Sequence, residues 1–209
     1  KRGVFAKRDI KRNEILTKDD VFYAWPNVKG QRLANNMSKY IKYTASADIS
    51  SGQPLMDVNT NSDNTRNNVW VAVQSVKKFL TDLELSHHYG LDNFFHTGIT
   101  MITVVNRSYC KKLIIVLPGQ THPAQFHKKK EETFVILHGH IFLTKGGKTK
   151  PLTKGGVETI EPGTVHSFTT DKGCIIEEVS TTHFKDDSYY IDKNIHENKD
   201  RKTFVKHWL

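Results

Sequence analysis

The side chains most capable of chemistry lie in two short segments, at 119–139 and 156–166. Imidazole nitrogens and carboxylate oxygens are the donors that suit divalent transition metals such as Mn, Fe, Ni, Co or Zn. Residues i and i+2 of a strand face the same side, so two such donors at that spacing can share one interior. The candidate donors are His122, Gln125, His127, Glu132 and His166.

The order and spacing of these residues resemble the two cupin motifs. Gly139 follows His127 and Glu132 in the first segment, and two residues separate Gly163 from His166 in the second segment. In cupins the first motif supplies two histidines and a glutamate, the second supplies one more histidine, and all four converge on a divalent metal. The resemblance therefore implies His127, Glu132 and His166 as metal ligands. The alternative is a cupin barrel that has lost its metal and keeps these histidines as polar lining.

The fourth ligand is where the sequence departs from that pattern. The first histidine of the cupin pair falls at Gln125, whereas His122 lies at odd spacing from His127, behind Pro123. Three arrangements stay open. Gln125 coordinates through its amide oxygen, a bulge brings His122 into the position, or the site has only three protein ligands.

A lysine and a second acid are the candidates for proton transfer. His127, Lys130 and Glu132 resemble the His-x-x-Lys-x-Glu segment of the D-lyxose isomerase branch of cupins, which implies a metal-bound open-chain sugar and a neighbouring base. A lysine beside a divalent metal is expected to have a lowered pKa. Strict strand alternation would turn Lys130 away from His127, and the run of three lysines is then a solvated edge. Glu178 is the other interior candidate.

The first 62 residues contain a weak internal repeat. Segments 8–16 and 47–55 share an Asp-Ile pair, two polar residues, a turn residue and a final apolar residue. Asn13 and Gly52 occupy the same turn position, and both residue types tolerate a positive φ. The repeat predicts a duplicated β unit. Thr17, followed by two acids, predicts the start of a short helix.

Residues 2–10 and 14–16 resemble the start of the SAF, or antifreeze-like, domain of bacterial sialic acid synthases. That domain is a small β-clip that caps the barrel active site of the dimer partner, and an arginine before its first strand reaches the amino sugar. By position this arginine is Arg2. Asn13 replaces the usual turn glycine, and the loop at 24–30 departs from the family's Pro-Gly-x-Gly segment.

The elements that must position these residues are mostly strands. Apolar residues at three- and four-residue steps predict a connecting helix within 63–86, carried by Val69, Val73, Val76, Leu80 and Leu83. Short β runs separated by glycine and proline turns follow, as in a sandwich or barrel. The predicted strands are 99–105, 112–117, 133–137, 140–143, 157–160 and 174–180.

The expected fold class is all-β with one or two helices, in which a small β-clip SAF domain precedes a double-stranded β-helix (jelly-roll) cupin barrel. The expected domains are 1–62, a linker or connecting helix at 63–86 and the barrel at 87–209, whose charged, irregular tail after Asp186 packs as a C-terminal arm. His87 and His88 are expected at the surface.

Composition excludes several function classes. The net charge is +9, but the excess is divided between both parts, so a basic surface is favoured over a nucleic-acid groove. No apolar run approaches the roughly 18 residues of a membrane span. Two cysteines give no disulfide framework and favour the cytoplasm. The first residue is Lys1 rather than Met, so a preceding segment is expected.

Two functions fit these features. The first is an SAF-plus-cupin module that acts with a sialic acid synthase-like barrel in surface-sugar biosynthesis, binds a sugar or sugar acid and forms a homodimer. It is not a synthase by itself. The second is a metal-dependent sugar isomerase or epimerase housed in the cupin, in which Lys130 or Glu178 moves the proton.

Overall fold

The computed structural model describes residues 1–74 and 83–205 and divides the chain into two units, Lys1–Asn68 and Val69–Leu209. Helix α1, Thr65–Val73, includes the division between them. The helix predicted within 63–86 is shorter than expected. Leu83 begins a strand instead, and Val76 and Leu80 lie outside the described residues. The domain boundaries 1–62, 63–86 and 87–209 stay predictions.

The N-terminal unit is built from five short strands and two 3₁₀ turns. Strands β1 and β3 form one antiparallel pair, and β2, β4 and β5 form a three-stranded sheet. Thr17 caps the first 3₁₀ turn, Lys18–Asp20, as its sequence predicts. The strands are β1 (Gly3–Ala6), β2 (Ile15–Leu16), β3 (Val21–Ala24), β4 (Ile41–Ala45) and β5 (Thr60–Asn64).

The internal repeat forms a reciprocal pair of turns. Asp48 Oδ1 accepts the backbone N–H of Arg12 at 2.8 Å, and Asp9 Oδ1 accepts that of Ser51 at 2.8 Å. Ile10 and Ile49 exchange backbone hydrogen bonds of 2.8 and 2.9 Å between the two copies. The equivalent turn residues Asn13 and Gly52 both have positive φ, 69° and 81°, as predicted. The repeat therefore gives two matching halves around one small core.

The C-terminal unit is a curled β structure that fits a jelly roll. Its central strand β10 pairs with four others, β11, β12, β13 and β14. Its elements are β6 (Leu83–Ser86), β7 (Ile99–Asn106), β8 (Tyr109–Val116), β9 (Thr121–Phe126), β10 (Glu132–Lys145), β11 (Lys148–Thr153), β12 (Val157–Ile160), β13 (His166–Thr169), β14 (Cys174–Thr181), β15 (Tyr189–Tyr190), α2 (Lys193–Glu197) and β16 (Lys202–Val205).

The residues from 187 to 205, which we name the C-terminal arm, connect the two ends of the main sheet. The strand order is β15-β9-β13-β10-β14-β8-β7-β6-β16, so the arm supplies both terminal strands. The expectation of an irregular tail is wrong here, because backbone pairing with β9 and β6 gives the arm regular structure.

The core of this unit consists of the inward-facing residues of the strands. It includes Phe134, Ile136, Ile141, Leu143, Phe168 and Ile176, all almost fully buried. Along β10 the inward face runs from Glu132 to Ile136, so the first strand residue that could bind a metal is followed directly by apolar packing. Alternation along the strand thus places this candidate metal ligand and the apolar core on one face.

His87 and His88 contradict their expected surface position. Their exposed fractions are 5% and 0%. His88 has a φ of 48°, and its ring lies 5.3 Å from that of His122 and 5.1 Å from that of Tyr190, centroid to centroid. The pair packs under the C-terminal arm, which the sequence did not show as ordered.

Across the two described stretches of the chain, none of the helices combines the length and apolar character needed to span a membrane.

Candidate active site

Three of the predicted ligands converge in the C-terminal unit. His127 directly follows β9, Glu132 opens β10 and His166 opens β13. All three side chains are buried, and one ligand atom from each lies within 4.8 Å of the others. His166 lies opposite Gln125 in the pairing of β13 with β9, and the bend after His127 leads into Glu132, so the three residues meet although 39 positions separate the first from the last.

The protonation of the two imidazoles follows from their backbone partners. Nδ1–H of His127 donates to the carbonyl of Asp187, and Nδ1–H of His166 donates to the carbonyl of Thr164 at 3.1 Å. A carbonyl only accepts, so each ring carries a proton on Nδ1, and a neutral His127 ring keeps its lone pair on Nε2. Burial, with the Lys130 ammonium as the next cause, lowers the pKa of His127 and keeps its ring neutral.

Both Nε2 atoms face one carboxylate. His127 Nε2 lies 3.6 Å from Glu132 Oε2, and His166 Nε2 lies 2.8 Å from Glu132 Oε1. Within the described part of the chain, neither Nε2 nor Glu132 Oε1 has a partner in hydrogen-bonding geometry. A lone pair facing an anionic oxygen is repulsive unless a cation lies between them. The donor set and its unpaired atoms therefore fit a divalent transition metal.

The structure places the two candidates for the fourth position differently. Gln125 lies opposite His166 in the β9–β13 register, and its buried Oε1 has no hydrogen-bond partner among residues 1–74 and 83–205. His122 lies opposite Phe168 and stacks on its ring at 4.8 Å. His122 lines the same cavity but does not belong to the group of ligand atoms within 4.8 Å. Of these two residues, Gln125 is therefore the better candidate for the fourth ligand.

Lys130 and Glu178 lie together in the same cavity. Lys130 Nζ is 2.5 Å from Glu132 Oε2 and donates to Glu178 Oε1 at 3.0 Å. Glu178 is the cross-strand partner of Lys112, whose Nζ lies 3.8 Å away. The strand-alternation argument against Lys130 is wrong, because residues 127–131 form a bend rather than a strand.

The charges of this pair are set by their neighbours. Burial lowers the pKa of Lys130, but the carboxylates of Glu178 and Glu132 outweigh it, so the pKa is raised. This is the opposite of the lowered value that the sequence predicts. Burial raises the pKa of Glu178, but Lys112 and Lys130 outweigh it, so the pKa of Glu178 is lowered. The site therefore holds an ammonium donor beside an ionised carboxylate.

The site opens into a small cavity of about 30 Å³. Besides the candidate metal ligands and several apolar side chains, its lining includes basic groups and hydroxyl groups from the C-terminal arm. These polar residues are Lys112, Lys130, His183, Ser188, Tyr190 and Lys202. Their hydrogen-bonding groups match those of a polyhydroxylated molecule.

Asp187 is the site residue that sequence reasoning missed. It is 3% exposed, and its carboxylate accepts backbone N–H groups from Lys128, Lys129 and Lys130. In the sequence it stands in a charged tail that resembles a solvated surface. The only available signal was the Asp-Asp-Ser-Tyr-Tyr run, which ends a polar stretch with two aromatic residues.

Arg2 belongs to the N-terminal unit, where it is exposed and its carbonyl accepts the N–H of Ala34 at 3.0 Å. Its predicted contact with an amino sugar stays a prediction.

Comparison with known families agrees with both resemblances at the domain scale. The cupin domain model matches residues 112–176, and the SAF domain model matches residues 1–59. The SAF domain is N-terminal in this chain, and the matches give no support for a link to sialic acid synthase.

Individual relatives point to sugar isomerases. The chain is 31% identical to the D-lyxose/D-mannose isomerase of Thermosediminibacter oceani, over 48% of this chain and 71% of the relative. It is 26% identical to the D-lyxose ketol-isomerase of a Thermofilum species, over 51% and 76%. The solved L-ribose isomerase of Geodermatophilus obscurus matches with a TM-score of 0.44 and 15% identity, over 48% and 72%.

Proposed function

The chain belongs to the family of the D-lyxose isomerases, and on this premise we propose that its C-terminal unit is a metal-dependent aldose–ketose isomerase. The observation that carries the proposal is the convergence of two imidazole Nε2 atoms on the Glu132 carboxylate, with the Lys130–Glu178 pair in the same cavity. The first arrangement suits a cation, and the second supplies a proton donor beside a proton acceptor.

The metal would be held by His127, Glu132 and His166, with Gln125 Oε1 as the adjacent fourth donor. When bound, the metal supplies Lewis-acid polarisation of the sugar's carbonyl and neighbouring hydroxyl. The backbone carbonyls behind both histidines fix their tautomers, as the outer partners of metal-binding histidines commonly do. Burial excludes water from the reacting carbons.

Glu178 is the group that moves the proton. Its ionised carboxylate takes the proton from C2 of the open-chain aldose and returns it to C1, while the hydroxyl proton passes from O2 to O1, so the aldose becomes a 2-ketose with no net change in atoms or electrons. Lys130, whose raised pKa keeps it an ammonium, donates a hydrogen bond to the oxygen on which charge develops. This division of roles follows from the charges at the site.

The substrates to test first are D-lyxose and D-mannose, which the names of the relatives suggest. These two aldoses have the same configuration at C2, C3 and C4 and differ by one carbon at the far end. A single site that binds the carbonyl end of the sugar would therefore accept both, and the expected products are D-xylulose and D-fructose.

The test is metal content together with product formation. Protein purified without chelator is expected to contain a transition metal and to convert D-lyxose to D-xylulose. His127→Ala and His166→Ala are expected to lose both properties. His138→Ala, at an exposed position on β10, is the matched control and is expected to keep both. Wild-type protein that binds no metal, or that binds metal and converts neither aldose, would contradict the proposal.

The interpretation of the chain as an accessory module of a sialic acid synthase-like barrel receives less support than the isomerase proposal. The SAF domain is present, but its action on a synthase barrel, the role of Arg2 and a homodimer all stay predictions. The names of the relatives support the proposal that the cupin unit is an isomerase.

A further inference from the structure

The bend between β9 and β10 is tied to a residue 60 positions after His127. Asp187 Oδ1 accepts the N–H of Lys128 at 3.0 Å, and Asp187 Oδ2 accepts those of Lys129 and Lys130 at 3.1 and 3.0 Å. Three successive N–H groups around one carboxylate form an anion-binding nest. Because the carboxylate is buried, these bonds are not exchanged for water.

The same residue also holds the metal-binding histidine. The backbone carbonyl of Asp187 accepts Nδ1–H of His127, and this bond leaves Nε2 unprotonated and turned toward Glu132. One residue therefore contacts both ends of the bend that runs from His127 to Lys130. The ring position at one end and the ammonium position at the other depend on a common support.

We infer that Asp187 is a positioning residue for the active site, acting through the bend at residues 127–130. The carboxylate sets the path of the bend, and with it the direction of Lys130 toward Glu178 and the distance of His127 from Glu132. The inference rests on the proposed function for the meaning of the site, but the contacts themselves are independent of it.

Asp187 also connects the site to the C-terminal arm, of which it is the first residue. Two residues later the arm pairs with β9, through Tyr189 opposite Phe126 and Tyr190 opposite Gln125. The arm thus holds the strand that precedes His127 as well as the bend that follows it. Asp186, its neighbour, is exposed and offers a control of the same charge in the same segment.

Cobalt titration separates a positioning role from general loss of structure. Co²⁺ binding is followed by its d–d absorption in wild type, Asp187→Ala, Asp187→Asn and Asp186→Ala. We expect Asp187→Ala to weaken Co²⁺ binding about 10- to 100-fold and Asp186→Ala to leave it unchanged. Asp187→Asn keeps the acceptor at Oδ1 and loses the one at Oδ2, so its affinity should fall between those of wild type and Asp187→Ala. The Asn variant decides the matter if the Ala variant does not fold.

A second measurement needs no metal. Nitrogen-15 chemical shifts of His127 in metal-free protein report its tautomer. We expect the Nδ1–H form in wild type and Asp186→Ala, and a mixture with the Nε2–H form in Asp187→Ala and Asp187→Asn. The inference is overturned if folded Asp187 variants bind Co²⁺ as tightly as Asp186→Ala, or, where wild type binds no Co²⁺, if the tautomer is the same in all four proteins.

These outcomes are distinct from those of the proposed function. If the Co²⁺ affinities follow the expected order and wild type converts no aldose, the positioning role stands and the isomerase fails. If wild type isomerises D-lyxose and the Asp187 variants bind Co²⁺ normally, the isomerase stands and the positioning role fails.

Discussion

Two adjacent glutamates on β14 differ because strand alternation turns their side chains to opposite faces of the sheet. Glu178 is buried beside Lys130 and Lys112, whereas Glu177 faces outward and forms an ion pair with Lys111. Both residues are glutamates, so only the direction of the side chain separates the proposed proton carrier from a surface charge.

Glu178→Gln is therefore expected to lower kcat for D-lyxose by about 10²- to 10⁴-fold, because it removes the proton acceptor and leaves the shape of the side chain. Metal content should stay at the wild-type level. Glu177→Gln removes the same charge one residue away and should keep wild-type kcat. Steady-state rates of ketose formation measure both, and equal rates for the two variants would contradict the assignment.

At the scale of elements, the capped 3₁₀ turn of the N-terminal unit makes a pH-dependent contribution. Asp20 accepts the backbone N–H and the hydroxyl of Thr17 at 2.8 and 2.7 Å and pairs with Arg8 Nε at 2.8 Å. Burial raises the pKa of Asp20, but the bonds from Thr17 and Arg8 outweigh it, so the pKa is lowered.

A group whose folded-state pKa is lowered stabilises the fold fully above its unfolded pKa, about 4 for aspartate, and loses this contribution as the pH falls through the folded value. Asp20→Asn should therefore reduce local stability by about 1 kcal/mol near neutral pH. The difference should shrink as the pH falls below about 4. Hydrogen exchange of peptides covering residues 15–24 measures it. Asp19→Asn, at an exposed neighbour, is the control, and a difference independent of pH would contradict the argument.

Strand β10 gives a matched pair for the energetics of the barrel core. Ile136 is 1% exposed, and Leu137 is 39% exposed on the other face. Ile136→Ala leaves a cavity and should reduce the free energy of unfolding by about 2–5 kcal/mol. Leu137→Ala should reduce it much less. Urea unfolding followed by circular dichroism gives both values, and similar losses would mean that the register of β10 differs from the one described.

Local sequence patterns predicted the positions of the strands well, but they did not predict where two segments form one continuous strand. The strand at 157–160 is found with the predicted bounds, and 174–180 is one residue short of β14. Segments 133–137 and 140–143 are one strand rather than two. The apparent break is a bulge, where the register with β14 shifts between Ile136 and His138 and Gly139 takes a φ of +73°. A glycine in a strand signals either a turn or a bulge, and only the partner strand decides between them.

At the scale of the whole molecule, each unit has its own core, and the three candidate metal ligands lie in the C-terminal unit. Val4, Ile10 and Leu55 belong to the core of the N-terminal unit, and Phe134 and Ile176 belong to that of the C-terminal unit. A ligand that binds only the folded state stabilises it by RT ln(1 + [L]/Kd), about 2.7 kcal/mol at a concentration a hundred times Kd.

Added Mn²⁺ or Co²⁺ is therefore expected to slow hydrogen exchange in peptides from β9, β10 and β13 and to leave residues 1–59 unchanged. His127→Ala should show neither change. Equal protection of the SAF domain would contradict a metal site confined to the cupin unit, and no protection anywhere would contradict the metal site itself.

The sequence identified the part of the site that resembles a known motif. His127, Glu132 and His166 follow the order and spacing of the two cupin motifs, although 39 positions separate the first from the last. The pairing of Tyr190 with Gln125 joins residues that are far apart in the chain and share no motif. Asp187 was missed for the same reason, because its role exists only after the arm has paired with β9.

The position of Asp187 in the chain also has a consequence for the order in which the protein is made. His127, Glu132 and His166 are translated before Asp187. During synthesis the three candidate ligands are therefore present before the residue that supports the bend between the first two. A nascent chain stopped before that aspartate carries every ligand atom, yet it lacks the bonds that orient them. On the proposed metal site, we therefore expect a chain that stops before residue 187 to bind metal more weakly than one that includes it.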